Sequence, residues 1–262
     1  MIPKKIFSYW EGPRPEIVNF CLWQIRETNP SCQFVCLGRH DVPEIDGVSS
    51  LSPQHRSDVV RIHTLSIHGG VWMDASCMDC LPVETWVDFS AHKVQGFYMG
   101  DDVKQIENWA FASPANFPLT LRWAAELLYA VRIGFGNYKQ LRRRYIPQST
   151  LLWMPYLTMH GAWCVARYNG NDADVTLRSS VTGRGPYRYL AENGWSSKAA
   201  VRNLELYRRR LYFIKLRGDE RDAMIHQGPR WEWVLFATVG FMLVIAAMSL
   251  PVSQQKKFHI LT

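Results

Sequence analysis

The chain has 262 residues, of which 47% are hydrophobic and 20% charged, so it is long enough for one globular domain with an appendage. Its formal charge of +7 at pH 7 is compatible with nucleic acid, an anionic lipid or a phosphorylated small ligand as partner. We expect no nucleic-acid binding, because no zinc-finger, helix-turn-helix or RNA-recognition signature accompanies the basic clusters at 142–144 and 208–210.

Strands and helices alternate in the first half of the chain. The predicted strands are 5–10, 33–37, 71–73, 94–99 and 109–112. The predicted helices are 16–27, which ends at Asn29-Pro30, and 57–68, which has Ser57 as N-cap and ends at Gly69-Gly70. This alternation predicts an α/β fold with a parallel, doubly wound sheet.

The second half of the chain is predicted to be mainly helical. The predicted helices are 119–131, 138–145 and 149–165, followed by a polar, glycine-rich loop over 169–194. A basic helix is predicted over 199–216. Its arginines and neighbouring aromatic residues suit an anionic membrane surface.

The C-terminal segment has the pattern of a membrane anchor. No charged residue lies between Val234 and Leu250, and Trp231 and Trp233 stand just before this span. The sequence thus predicts a catalytic domain at 1–230, one transmembrane helix at 231–251 and a short tail at 252–262. Because more Lys and Arg precede the span than follow it, and no secretory signal precedes Met1, we expect the main domain to be cytosolic. A buried core helix is the alternative.

The most informative motif runs from residue 57 to residue 76. A predicted buried strand ends at Asp74, with Ser76 two residues on, and ligands bind at the carboxyl ends of strands in α/β sheets. A carboxylate and a hydroxyl suit Mg²⁺ or Mn²⁺, which can stabilise a diphosphate leaving group. Asp58 and Arg61 share a helix face and suit sugar hydroxyls and phosphate oxygens. A turn-forming Asp and a surface ion pair remain the alternative interpretations.

Several segments resemble one known family. They are Ile2-Pro3-Lys4-Lys5-Ile6-Phe7 with Tyr9-Trp10, Asn29-Pro30, Ser57-Asp58-x-x-Arg61, Gly69-Gly70-x-x-x-Asp74-Ala75-Ser76 and 107–113. Together they resemble the capsular polysaccharide synthesis glycosyltransferases, relatives of the DXD-containing sugar-binding-region enzymes. Gly185-Pro186, His226 and Trp231 are similar to late elements of that family. The resemblance extends over about residues 2–231.

The resemblance implies a GT-A-like, Rossmann-type sheet and a glycosyltransferase. Such an enzyme moves a hexosyl unit from a nucleotide-diphospho-sugar to a glycan or lipid-linked acceptor, with retention of configuration and help from Mn²⁺ or Mg²⁺. The residues implied in catalysis are Asp58, Arg61, Asp74 and Asn108. Those implied in substrate binding are Tyr9, Trp10, Asp58, Arg61, Gly69, Gly70, Trp109 and Trp231. The implied metal ligands are Asp74, Ser76 and His226, with Ser76 in place of the second acid of the motif.

Two alternatives follow from particular residues. Ser76 in place of an acid is compatible with a non-catalytic, membrane-anchored protein that binds a nucleotide sugar or glycan. The Cys77-x-x-Cys80 spacing is compatible with a zinc site, although no histidine stands nearby at ligand spacing, and reduced thiols are the simpler interpretation.

Overall fold

The computed structural model describes residues 1–79, 81–100, 105–168, 170, 172–208 and 210–226. The strands of this part are β1 (Lys5–Tyr9), β2 (Gln33–Leu37), β3 (Gly70–Met73), β4 (Cys77–Asp79), β5 (Val94–Tyr98), β6 (Ile106–Ser113), β7 (Val175–Ser179) and β8 (Phe213–Lys215). The α-helices are α1 (Glu16–Thr28), α2 (Pro53–His68), α3 (Pro118–Ile133), α4 (Phe135–Arg142), α5 (Gln148–Leu152), α6 (Thr158–Arg167), α7 (Arg188–Ala191), α8 (Ser197–Arg202) and α9 (Gly218–His226). The predicted mixed α/β class is confirmed.

Six of the described strands form the central sheet, in the order β2-β1-β3-β6-β5-β7. β1 pairs in parallel with β2 and β3, and β7 pairs in parallel with β5. β6 is antiparallel to both of its neighbours, β3 and β5. The predicted all-parallel sheet is therefore wrong at β6. The connection from β5 to β6 spans only 99–105, which is too short for a parallel crossover.

The central sheet is covered on both faces. Side chains of successive strand residues point to opposite faces, so Val71 and Ala110 join the core that includes α1, β4 and β8. Trp72 and Phe111 join the other core, which includes α2, α3 and α6. Burial on both faces explains why β3 is a continuous apolar run in the sequence.

Helix α2 begins earlier than predicted. The predicted N-cap Ser57 lies inside the helix, and the actual N-cap is Ser52, whose hydroxyl accepts a hydrogen bond from the backbone N–H of His55. Pro53 occupies the first helical position, where its missing N–H costs nothing. Asp58 and Arg61 therefore lie in the second and third turns of the helix and not at its start.

The chain after α4 departs further from the predicted pattern. The predicted helix 149–165 is divided into α5 and α6, with Pro155 between them, because proline cannot donate the backbone hydrogen bond that a continuous helix needs. The predicted loop 169–194 contains the edge strand β7 and the short helix α7.

The predicted basic helix 199–216 is wrong. Helix α8 ends at Arg202, and the chain then forms a 3₁₀ turn at Leu204–Leu206 and the strand β8. β8 pairs antiparallel with β4, where Lys215 is opposite Cys77. Leu211, Phe213 and Leu216 are fully buried, so this segment is part of the core and not a membrane-surface helix.

The predicted transmembrane helix at 231–251, the tail at 252–262 and the boundary of the first domain at 230 lie outside the described residues. Within the described ranges, no helix is both long enough and apolar enough to cross a membrane.

Gly69 and Gly70 connect α2 to β3 by a backbone path that only glycine fits well. Gly69 has φ +61° and ψ −169° and ends the helix, with its N–H bonded to the carbonyl of Leu65. A Cβ there would lie 2.4 Å from the backbone nitrogen of Ala115. At Gly70, which has φ +107°, a Cβ would lie 2.7 Å from the carbonyl oxygen of Lys5. The pair allows β3 to pass close to its neighbours.

We predict that Gly69→Ala lowers the free energy of unfolding by about 3 kcal/mol, because a Cβ meets rigid backbone and the conformation is one that L-residues avoid. Gly136→Ala is the matched control. Gly136 lies in α4 with nothing within 4 Å of the added Cβ, so a gain of about 0.5 kcal/mol is expected from helix propensity. Urea denaturation measures both. Equal effects of the two substitutions would contradict the packing argument.

Candidate active site

A cleft of about 740 Å³ opens at the carboxyl ends of β1 and β3. The antiparallel β6 begins at this edge, since Met73 is opposite Ala110, and so it brings Asn108 and Trp109 to the cleft. The other walls come from α2, from α6 and from the segment that follows β8. The cleft thus gathers residues that lie far apart in the sequence.

Asp74 lines the cleft and lies in a tight turn. Its N–H donates to the carbonyl of Trp109 at 2.8 Å, and its carbonyl accepts from the N–H of Cys77 at 2.9 Å. Its carboxylate accepts hydrogen bonds from three side chains. Oδ1 accepts from Arg61 Nη2 at 2.8 Å and from Trp72 Nε1 at 2.9 Å, and Oδ2 accepts from Lys215 Nζ at 2.8 Å.

Arg61 links Asp74 to Asp58. Its Nη1 donates to Asp58 Oδ1 at 2.8 Å, and the same oxygen accepts from Asn108 Nδ2 at 3.0 Å. The guanidinium carbon lies 5.2 Å from the centroid of the Trp72 ring, within the range of a cation–π contact. The side chain of Arg61 is 5% exposed, so this is a buried ion pair and not the surface pair that the spacing alone allows.

Lys215, on β8, completes the charged cluster that Asp58, Arg61 and Asp74 form. Its ammonium donates to Asp74 Oδ2 and, at 2.6 Å, to Ser76 Oγ. The backbone fixes this strand, because Leu216 N–H donates to the Ser76 carbonyl at 3.0 Å and the Tyr189 hydroxyl donates to the Lys215 carbonyl at 2.8 Å.

The two carboxylates of the cluster have opposite pKa shifts. Burial raises the pKa of Asp58 to about 6, and the charge of Arg61 reduces this effect. Burial also acts to raise the pKa of Asp74, but Lys215 and Arg61 lower it by more, so the net shift is downward. Asp74 is therefore a carboxylate throughout the neutral range.

Tyr9 and Trp10 both line the cleft, but Tyr9 is more deeply buried than Trp10. Tyr9 is buried, and its hydroxyl donates to Glu11 Oε2 at 2.7 Å. Glu11 also accepts from Arg56 Nη2 at 2.6 Å, and this guanidinium lowers the pKa of Glu11 to about 2. Trp10 is only partly buried, and its Nε1 donates to the carbonyl of Pro13 at 3.1 Å. Of the two predicted base-stacking residues, Trp10 has the more accessible ring.

The structure brings most of the predicted site residues together, but not all of them. Asp58, Arg61, Asp74, Ser76, Asn108, Trp109, Tyr9 and Trp10 line the cleft. Gly69 and Gly70 lie at the opposite end of β3, outside the residues that line it. His226 is the last residue of α9, and its side chain, like the whole of Trp231, lies outside the described part of the chain.

The titratable residues of the cleft that are not among those predicted include Glu107, His160 and Lys215. Burial raises the pKa of Glu107 to about 7, and burial lowers the pKa of His160 to about 4. Lys215 has a sequence signal that could have identified it, since it is the only charged residue in the apolar run 211–216. Glu107 adjoins the predicted Asn108, and no motif in the sequence indicates a role for it.

The arrangement does not fit Mn²⁺ or Mg²⁺. These ions need several oxygen ligands with free lone pairs, whereas both oxygens of Asp74 and the hydroxyl of Ser76 already accept bonds from protein donors. A divalent ion beside the Asp74 carboxylate would also lie close to the Lys215 ammonium, and the two cations would repel each other. Within the described residues, no group of three or more His, Cys, Asp and Glu is placed to hold a metal.

Residues 1–130 match the family model described as "Capsular polysaccharide synthesis protein". The matched segment covers 130 of the 262 residues, and this chain is similar to the family over that segment. The match covers the predicted Asp58, Arg61, Asp74 and Asn108, and it confirms the resemblance drawn from the motifs. It also supports the prediction that the protein is an enzyme of the glycosyltransferase class.

The solved structures that are similar to this chain include two that cover most of it. The "PaToxG Glycosyltransferase" has a TM-score of 0.44 and 13% sequence identity, over 85% of this chain and 83% of that chain. An active-site mutant of LgtC has a TM-score of 0.40 and 10% identity, over 79% of this chain and 82% of that chain. No curated protein sequence matches this chain significantly.

We predict that Glu107→Gln stabilises the protein at pH 8 but not at pH 4.5. Because the pKa of Glu107 is raised to about 7 in the folded state, stability declines as pH rises from the unfolded value of 4.5 through 7. The glutamine variant does not show this decline, so above pH 7 its free energy of unfolding should exceed that of the wild type by about 2 kcal/mol. Urea denaturation across the pH range measures it, with the exposed Glu44→Gln as control. An advantage that does not change with pH would contradict the buried-acid assignment.

Proposed function

We propose that the protein is a hexosyltransferase that uses a nucleotide-diphospho-sugar, in a GT-A-like fold of the type used in capsule and polysaccharide synthesis. The observation that carries this proposal is the convergence of Asp58, Arg61, Asp74 and Asn108 on one cleft. These residues come from α2, from the turn after β3 and from β6, and the sequence spacing of these three elements does not by itself require them to meet.

The charges of the cleft suit a diphosphate group. Arg61 and Lys215 are both paired with Asp74, and Arg217 and Arg221 line the same cleft on the segment that follows β8. Arg217 is paired with Glu220, with 2.7 Å between Nη2 and Oε1. Fixed cations in a partly enclosed cleft stabilise the negative charge that develops on a leaving diphosphate.

In this proposal, Trp10 binds the base of the donor, and Asp58 and Asn108 bind its sugar. Trp10, which follows β1, stacks on the nucleotide base, because a base of any type can stack on an accessible aromatic ring. Asp58 and Asn108 hold hydroxyl groups of the sugar. The hydrogen bonds of Glu11 to Tyr9 and Arg56 keep the end of β1 in place, so the base and the sugar are bound by preformed elements.

The proposed reaction retains the configuration of the sugar. The bond between the anomeric carbon and the diphosphate oxygen breaks, and the acceptor hydroxyl oxygen bonds to the same face of that carbon. The acceptor proton passes to the departing diphosphate. The contribution of the protein is to position both substrates and to stabilise the leaving group.

The acceptor is proposed to be a glycan or a lipid-linked glycan. Tyr156 and Leu157 line the cleft, and the neighbouring Leu152 and Trp153 are about 70% exposed. Exposed rings and aliphatic groups beside a cleft suit the apolar faces of sugars.

We further propose that the uncharged segment 234–250 anchors the protein in a membrane, with the catalytic domain on the cytosolic side.

A non-catalytic protein that binds nucleotide sugars is the competing candidate. Ser76, a hydroxyl where related motifs have a second acid, is the observation that favours it. Donor binding without hydrolysis or transfer under any condition would select this candidate.

We predict that Asp74→Asn lowers transfer and donor hydrolysis by at least about 100-fold, because Arg61 and Lys215 lose the carboxylate that orients them. The experiment measures release of nucleoside diphosphate from UDP-, GDP- and dTDP-sugars, with circular dichroism to confirm folding. The control is Asp46→Asn at an exposed position. Full activity of the Asp74 variant would show that this carboxylate has no part in the reaction.

We predict that Trp10→Ala weakens nucleotide binding by about tenfold to 100-fold, which corresponds to the loss of one base-stacking contact. Equilibrium dialysis with the preferred nucleoside diphosphate measures this change. Trp153→Ala is the control, because Trp153 is 69% exposed and is not among the residues that line the cleft. An unchanged affinity would place the base elsewhere in the cleft.

A further inference from the structure

The Asp74-Ala75-Ser76 segment already holds a cation, which is the side chain of Lys215. The ammonium lies 2.8 Å from Asp74 Oδ2 and 2.6 Å from Ser76 Oγ. These are the first and third residues of the segment, the two positions from which the motif was predicted to bind a metal ion.

The fold places Lys215 there by strand pairing. Lys215 is opposite Cys77 in the β4–β8 pair, and its neighbours Ile214 and Leu216 are fully buried. The lysine side chain is itself 10% exposed. It therefore belongs to the wall of the cleft and is not a surface lysine that has folded back onto a nearby acid.

We propose that Lys215 is the built-in cation of this site and that its ammonium binds the diphosphate of the donor in place of a divalent metal. The inference rests on the proposed function and deepens it. An ammonium has three N–H donors, of which Asp74 and Ser76 accept two. The third is available for a phosphate oxygen. Since Ser76 accepts from Lys215, its own hydroxyl hydrogen is also available to a ligand.

The charge balance of the transfer step needs no metal in this arrangement. When the bond between the anomeric carbon and the diphosphate oxygen breaks, the electron pair stays on that oxygen. The ammonium compensates the new negative charge through space and keeps its proton. The proton of the acceptor hydroxyl leaves with the diphosphate.

The test uses the full-length protein and three probes: UDP, GDP and dTDP. Binding is measured by calorimetry in EDTA and again in Mn²⁺. Free Mn²⁺ is followed in parallel by its electron paramagnetic resonance signal, which does not depend on activity. We expect one nucleotide to bind with an affinity that changes less than about twofold between EDTA and Mn²⁺, and we expect the free Mn²⁺ signal to be unaffected by the protein.

Variants of Lys215 separate its charge from its packing. Lys215→Met keeps most of the volume and should weaken nucleotide binding by at least about tenfold in EDTA, because a charged hydrogen bond is lost. Lys215→Arg should retain more of the affinity. The control is Lys198→Met, at an exposed position on α8. The double variant Ser76→Asp with Lys215→Ala replaces the ammonium by a second carboxylate, and it should bind Mn²⁺ and need it for nucleotide binding.

The outcomes distinguish this inference from the proposed function. Nucleotide binding by the wild type that requires Mn²⁺ would overturn the role of Lys215 and leave the glycosyltransferase proposal intact. Unchanged binding by Lys215→Met in EDTA would do the same. If none of the three nucleotides binds with or without Mn²⁺, both proposals fail.

Discussion

The sharing of Asp74 between Arg61 and Lys215 is the interaction on which the rest of the site depends. Taking a carboxylate out of water costs several kcal/mol unless it is paired. Here each carboxylate oxygen accepts from a different cation, and one also accepts from Trp72. A single anion thus joins α2, the end of β3 and β8, which are far apart in the sequence.

This pairing also explains why the charges are arranged in a row. Asp58, Arg61, Asp74 and Lys215 alternate in sign, so each buried group has an opposite charge beside it. Removal of any inner member leaves its neighbour buried and unpaired, which costs more than the pair contributes. The row is therefore preorganised, and a ligand that enters the cleft meets dipoles and charges that need little reorientation.

The sequence was sufficient for those parts of the site that depend on local spacing. Asp58 and Arg61 share a helix face because they are three residues apart, and Asp74 lies at a strand end because an apolar run stops there. The direction of β6 does not follow from the alternation of strands and helices; it follows from the short connection 99–105, which excludes a parallel crossover. Yet that direction is what brings Asn108 to Asp58.

Lys215 shows a different limit of sequence reasoning. It lies 139 residues from Ser76 and 141 from Asp74, so no local period relates them. The segment 199–216 has many basic residues, and this composition predicts a helix that contacts a membrane. The run 211–216 is apolar except for Lys215 and has the length of a buried strand, so the lone lysine within it indicates a buried charge that needs a partner.

The hydrogen bond between Lys215 and Ser76 explains how the site can function with a serine, and not a second acid, at position 76. Two carboxylates and a divalent ion sum to zero charge, and so do one carboxylate, one hydroxyl and one ammonium. A second acid at position 76 would leave the row of charges with an excess negative charge beside the proposed diphosphate site, whereas the hydroxyl accepts from Lys215 without adding charge. Serine at this position is thus consistent with a site whose positive charge comes from the chain itself, and it need not be a weakened metal ligand.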